Sequence, residues 1–171
     1  SSSLQFSSTT KSNKTEYIEN VSEITGVAIP ALFEIEQTGG RCSVLSYVRK
    51  NMEKLPLEHG DRVIQLINHL SKNKTISITD MLYLSNVFLS LGSGYIYKRE
   101  QITNYDWISL KMANKAKKRV AGLISKIYQE REAHLIFEQD AEREIMDKNI
   151  VGRIDILSPD SLFEIKVTES I

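Results

Sequence analysis

Between residues 106 and 168 the apolar pattern changes period, and that change limits what this chain can fold into. From about residue 106 to 131, Ile108, Met112, Ala116, Val120, Leu123 and Ile127 form one continuous stripe at helical spacing. From residue 134 to 145 the spacing falls towards two. Leu135, Phe137, Ala141 and Ile145 alternate with Ile136, Glu138, Asp140, Glu142 and Glu144. Residues 149–157 and 162–167 read as two further strands. Ser158-Pro159-Asp160-Ser161 between them has the composition of a tight turn. One long helix followed by three strands predicts a mixed helix-and-sheet domain whose sheet begins late in the chain.

Upstream the reading is mostly helical. Residues 1–15 are rich in Ser, Thr and Lys and read as a loose or extended lead-in. Residues 17–94 read as helices, with shorter ones at 22–37 and 43–54 separated by Gly39-Gly40 and Pro56. Val63, Leu66, Ile67 and Leu70 mark one face of a helix opened near Asp61. Thr79-Asp80 is the expected cap of the next helix, which carries Leu82, Val87, Leu89 and Leu91 and ends at Gly92 and Gly94. The expected organisation is a mostly helical region, 1–105, followed by a sheet-bearing core, 106–171, or one continuous domain across both. A length of 171 residues, 41% of them apolar, suffices for one such domain.

Charge and cysteine usage narrow the function classes. Lys plus Arg and Asp plus Glu number 22 each, so attraction to a polyanion has to be local rather than global. The single cysteine, Cys42, excludes an intrachain disulfide and a cysteine zinc site, and it suits a reducing compartment. No apolar run approaches the ~18 residues of a membrane span, and the start lacks the apolar stretch of a signal peptide. An intracellular location, cytoplasmic or nuclear, and no membrane partner are expected. Gly39-Gly40 and Gly92-Ser93-Gly94 are not followed by Lys-Ser/Thr, so no phosphate-cradling nucleotide loop is present.

The chemistry concentrates in "VGRIDILSPDSLFEIKV", residues 151–167. On alternating strands, Phe163, Ile165 and Val167 share one side, and Leu162, Glu164, Lys166 and Thr168 the other. On the preceding strand Arg153, Asp155 and Leu157 oppose Gly152, Ile154 and Ile156. If the strands pair as a hairpin, Asp155 and Glu164 lie close on one face, with Lys166 two residues beyond. Two ionised carboxylates at that spacing repel unless a cation or a proton intervenes. Mg²⁺ takes carboxylate oxygens, waters and a substrate phosphate together. A neighbouring lysine can orient water or stabilise charge developing on phosphorus.

Asp155, an eight-residue gap and then Glu164-Ile165-Lys166 resembles the signature of the PD-(D/E)xK nuclease superfamily. "VGRIDIL" followed by "LFEIKV" is most similar to its RecB-like and lambda-exonuclease-like branches. The family core is restriction-endonuclease-like: a helix, a three-strand meander, a second helix and a further strand. The order read for residues 106–168 matches its first half, and the last helix and strand would follow Ile171, in something longer. The resemblance implies a metal-dependent nuclease hydrolysing DNA phosphodiester bonds, with RNA left open. It implies Asp155 and Glu164 as ligands of Mg²⁺ or Mn²⁺ and Lys166 as the catalytic lysine. By analogy it also implies a DNA-processing context, with a helicase in the same chain or complex. The alternative function is an inactive nuclease-like fold that binds nucleic acid or assists assembly.

Several positions depart from the family pattern. A further acid or histidine is often found on the first helix. Here Glu130, Glu132 and His134 fall at or after its end, and Glu138 lies on the first strand. Asp160, in the literal Pro159-Asp160 dipeptide, is separated from Glu164 by only three residues and belongs to the turn. For nucleic-acid contact the candidates are Lys111, Lys115, Lys118 and Arg119. They belong to a segment, 111–131, that holds seven basic residues against one acid, Glu130. Tyr95, Tyr97 and Trp107 are placed where they could stack on bases, although packing is the commoner role.

Overall fold

The structure, a computed structural model, describes the backbone of residues 2–9, 14–21, 23–93, 107–137 and 150–169, and the side chains of 23–92, 110–137 and 154–165. Five α-helices and one antiparallel sheet make up the described chain, a mixed α+β fold. The strands are β1 (Ser2–Thr9), β2 (Lys14–Val21), β3 (His134–Phe137), β4 (Ile150–Ser158) and β5 (Ser161–Glu169). The helices are α1 (Glu23–Thr38), α2 (Ser43–Lys50), α3 (Leu57–Asn73), α4 (Ile78–Ser93) and α5 (Trp107–Glu130), with a 3₁₀ turn at Met52–Lys54.

Two helices are buried on every side over long stretches and occupy the interior. In α1 an unbroken run from Thr25 to Phe33 is buried, and in α4 everything from Met81 to Phe88 is. Such helices must be enclosed by other elements. α1 lies against β4 and β5 on one side and against α4 and α5 on others. It ends where Gly39 and Gly40 adopt positive φ, +70° and +115°, and the Gly40 N–H bonds back to the Ile35 carbonyl at 3.0 Å. That closure needs residues without a Cβ penalty in the left-handed region. The next helix, α2, is capped by the Cys42 sulfur, which accepts the Leu45 N–H.

Some boundaries differ from the sequence reading. α3 opens at Leu57 behind Pro56 rather than near Asp61, and this brings His59 into the core with Val63, Leu66 and Leu70. α4 is capped by Ser77, whose Oγ accepts the Asp80 N–H at 3.1 Å, not by Thr79-Asp80. The buried line of α5 is Ala113, Ala116, Val120, Ile124 and Ile127, while Met112 and Leu123 are only partly covered, a rotation of about one position from the expected stripe.

The largest difference lies at the start. Residues read as a loose or extended lead-in, and as helix from Tyr17, form the paired strands β1 and β2: the extended alternative agrees with β1, while the helix expected from Tyr17 starts only at Glu23. The strand order is β2-β1-β5-β4-β3, all antiparallel. The expected β3-β4-β5 meander is there, and β1 pairs with β5 along its outer edge. Residues from both sides of position 105 therefore build one sheet. One apolar cluster joins Ile154, Ile156, Phe163 and Ile165 of the sheet to α1, α4 and the buried line of α5. No helix among the described residues is long and apolar enough to cross a membrane. The expected continuation of the first meander strand through 138–145 lies outside the described residues, as do Glu138, Tyr95 and Tyr97; Trp107 opens α5, and its side chain is likewise outside them.

Candidate metal and phosphodiester site

The β4–β5 hairpin positions the acids, and the turn that sets its register is held by α5. Ser158 and Ser161 pair directly, so only Pro159 and Asp160 form the tip. The Ser158 hydroxyl donates to the Ser161 carbonyl at 3.1 Å. From the end of α5, Arg131 donates through Nη1 to Asp160 Oδ1 and, at 2.7 Å, to Ser161 Oγ, and its guanidinium sits 5.3 Å from the centroid of the Phe163 ring. The Arg131 hydrogen bond is the main reason the Asp160 carboxyl is held below the ordinary carboxylate range. Asp160 is thus a turn anchor tied to a helix.

A two-residue connection leaves no slack in register. Asp155 stands directly opposite Glu164. Strand alternation does the rest: Ile154, Ile156, Phe163 and Ile165 enter the core beneath α1, so Asp155 and Glu164 occupy the other sheet face. On that face Ile136, Leu157 and Leu162 are 44%, 46% and 42% exposed, so solvent reaches it. Both acids are half-buried, with Oδ1 of Asp155 withdrawn from solvent. Lys166, two residues along β5, is the register partner of Arg153 on β4 and of Gln5 on β1. The register of β4 against β5 shifts at Ile150/Gly152, just before this row.

The acid row extends across the sheet. Ile136 of β3 pairs with Asp155, Ser7 of β1 with Glu164, and Glu16 of β2 with Ser7. A third acid therefore shares the row, two strands from Glu164. Nothing in the motif pointed to it, because the hairpin that carries it was not expected. The alternation of Leu4 and Phe6 with Ser3, Gln5 and Ser7 is the signal that could have found it. Among the further candidates, His134 is opposite Leu157 and so belongs to the acid face, one row away, and it is exposed. Glu130 and Glu132 are exposed at the end of α5 and just after it.

The donor set suits a hard divalent cation. Cross-strand partners have Cβ atoms about 5 Å apart, within reach of one ion for two carboxylates. Mg²⁺ is commonly held by one or two protein carboxylates, the remaining positions going to water and phosphate oxygen. Among the described residues no group of three or more His, Cys, Asp and Glu side chains could hold a metal ion, so Asp155 and Glu164 would have to serve with water and substrate.

The expected nucleic-acid contacts are arranged differently from the acids. Lys111, Lys115, Lys118 and Arg119 are all exposed on the side of α5 opposite its buried line. Since that line shares the core with the inner sheet face, the core lies between these cations and the acid pair. Lys117 is turned towards α1, 3.7 Å from Glu36. Cys42 and His59 are enclosed in the helical core. Burial pushes the Cys42 thiol up to about 12, so it stays protonated. His59 Nδ1 is 2.8 Å from the Tyr83 hydroxyl, and Arg62 lies over the Tyr83 ring at 3.9 Å, joining α3 to α4.

No family model, no curated protein and no solved structure matches this chain.

Proposed function

We propose that the chain is a metal-dependent nuclease acting on DNA, with Asp155 and Glu164 as ligands of Mg²⁺ or Mn²⁺ and Lys166 as the catalytic lysine. The supporting observation is the register: Asp155 directly faces Glu164 on an accessible sheet face, and Lys166 follows one repeat later on the same strand. Bound there, the ion would polarise phosphoryl oxygen and lower the pKa of water. Asp155 and Glu164 would hold it by charge. Lys166 orients the attacking water or offsets charge developing on phosphorus. Likeness of the helix-then-meander order to the PD-(D/E)xK core adds to this reading. A reducing, intracellular setting and a helicase partner in the same chain or complex belong to the same proposal.

One observation favours a second reading. Arg153 and Lys166 are register partners in the row beside Asp155 and Glu164, so two cationic and two acidic positions adjoin and balance in formal charge, a quartet that needs no metal. Opposite charges then occupy diagonal register positions. On this reading the hairpin is part of a non-catalytic nucleic-acid-binding or assembly module. Calorimetric titration with Mn²⁺ separates the two. Uptake by the wild type that Asp155→Asn abolishes supports the metal site; no uptake by folded wild type supports the quartet.

A further inference from the structure

The β4–β5 turn is closed by two residues, Pro159 and Asp160, and their chemistry denies it the usual geometry. Two-residue hairpins favour turns whose backbone twist matches that of the strands, and those turns need a positive φ at the first central residue. The proline ring fixes φ at about −65° in that position. Asp160 does not supply a positive φ either: among the described residues Lys74 is the only non-glycine that has one. The turns open to such a pair splay the strands they join. Yet Ser158 and Ser161 are paired, and the register runs unbroken from them to Asp155 and Glu164. The turn is therefore held shut from outside.

Arg131 is placed to do this. Asp160 Oδ1 lies within hydrogen-bonding distance of three donors, Arg131 Nη1, Ser158 Oγ at 3.2 Å and Ser161 Oγ at 3.2 Å. The same Nη1 donates to Ser161 Oγ at 2.7 Å, and the guanidinium covers the Phe163 ring. Phe163 is the register partner of Ile156, and the next pair is Asp155 with Glu164. The contacts of Arg131 thus reach from the tip to the row beside the acids. Its own backbone is fixed: its N–H bonds the Ile127 carbonyl at 3.0 Å, and Ile124 and Ile127 are buried in the core. A planar guanidinium serves a carboxylate, a hydroxyl and a ring together; lysine supplies the charge but not the fork.

We infer that Arg131 is a positioning residue of the acid pair: by clamping the turn to the end of α5, it holds Asp155 opposite Glu164. The pair stands three residues along each strand from the closing pair Ser158–Ser161, about 10 Å away. A ligand set has to be held to within about 0.5 Å of its working geometry by residues that do not touch the ligand, and a splayed tip would widen the pair. Pre-organisation of this kind raises affinity without adding a contact. The bearing on a cation rests on the metal reading above; the clamp itself does not. Since the Asp160 side chain is 71% exposed, breaking its ion pair has little effect on global stability, and the effect is local to the hairpin.

The test compares wild type with Arg131→Gln, Arg131→Lys and Asp160→Asn. The control is Lys117→Gln, which breaks an ion pair between α5 and Glu36 about 20 Å along the helix from Arg131. The first readout is amide hydrogen exchange in EDTA. Arg131→Gln should speed exchange several-fold in segments 154–157 and 162–165, with α1, α4 and the melting temperature nearly unchanged. Arg131→Lys should fall between, and adding Asp160→Asn to Arg131→Gln should change little more, because both remove one contact. The second readout is calorimetry with Mn²⁺. Affinity should fall several-fold in Arg131→Gln at unchanged melting temperature and recover in part in Arg131→Lys, a pattern that a purely structural role would not give. Unchanged exchange in a folded Arg131→Gln variant, or an equal rise in Lys117→Gln, would overturn the inference. So would unchanged Mn²⁺ affinity in Arg131→Gln where wild type binds the ion. No uptake by wild type would instead remove the metal reading, and the exchange result alone then decides the clamp.

Discussion

Asp155 and Glu164 make opposite demands on the fold with and without a cation. Like charges directly opposite on a sheet cost stability, so Asp155→Asn should raise the melting temperature in EDTA by an amount equivalent to about 0.2–1 kcal/mol. The same change should remove the stabilisation that Mn²⁺ gives the wild type. Differential scanning fluorimetry with and without metal measures both. If Asp155→Asn destabilises the metal-free protein, the quartet with Arg153 and Lys166 is the better description. A second residue gives a pH test. Burial raises the Glu34 carboxyl above its ordinary range, while hydrogen bonds from the Ser43 N–H and hydroxyl partly offset the shift. A carboxyl whose folded pKa is raised binds its proton more readily in the native state. Its contribution is therefore full below the unfolded value and lost as pH rises through the raised one. Relative to Glu34→Gln, wild type should be more stable near pH 4 than at pH 7 in urea titrations; a difference independent of pH would count against it. The pairing of Asp155 with Glu164 was legible in the sequence because strand alternation and the turn between β4 and β5 are local. Glu16 was not, since its place in the row depends on a pairing between the two ends of the chain.

At the scale of elements, the pieces with a clear period were readable and their ends were not. α5 and the β4–β5 hairpin follow from spacing and turn chemistry in windows of ten to twenty residues. The start of α3 moved by about a turn because Pro56 opens the helix where no Ser, Thr, Asp or Asn marks it. The cap of α4 fell to Ser77, a position that only hydrogen-bond geometry distinguishes from Thr79. Ser77→Ala should cost about 1 kcal/mol, read as a shift in urea midpoint with unchanged slope. β1 and β2 were missed for a physical reason. Ser, Thr and Lys outweigh the short Leu4/Phe6 alternation, and β1 takes its place by pairing with the edge of β5, and β2 by pairing with β1, a context no local window contains.

At the scale of the molecule, the described residues form one sheet with helices on its inner face and the Asp155–Glu164 pair on its other face. The terminal hairpin closes an edge that β5 would otherwise present. Deleting residues 1–21 should therefore leave the helices largely formed, by circular dichroism, but produce concentration-dependent association as the β5 edge is exposed. A monomeric, equally stable truncation would show that the hairpin is not needed there. The measurement to make first is Mn²⁺-dependent cleavage of labelled single- and double-stranded DNA by wild type and Lys166→Ala, with melting curves run on both. Cleavage by wild type that falls by 10²-fold or more in a folded Lys166→Ala variant is the expected result, on the scale of losing one transition-state contact. Equal cleavage by both proteins, or none by a folded, DNA-binding wild type, would contradict the assignment of a metal nuclease to this hairpin.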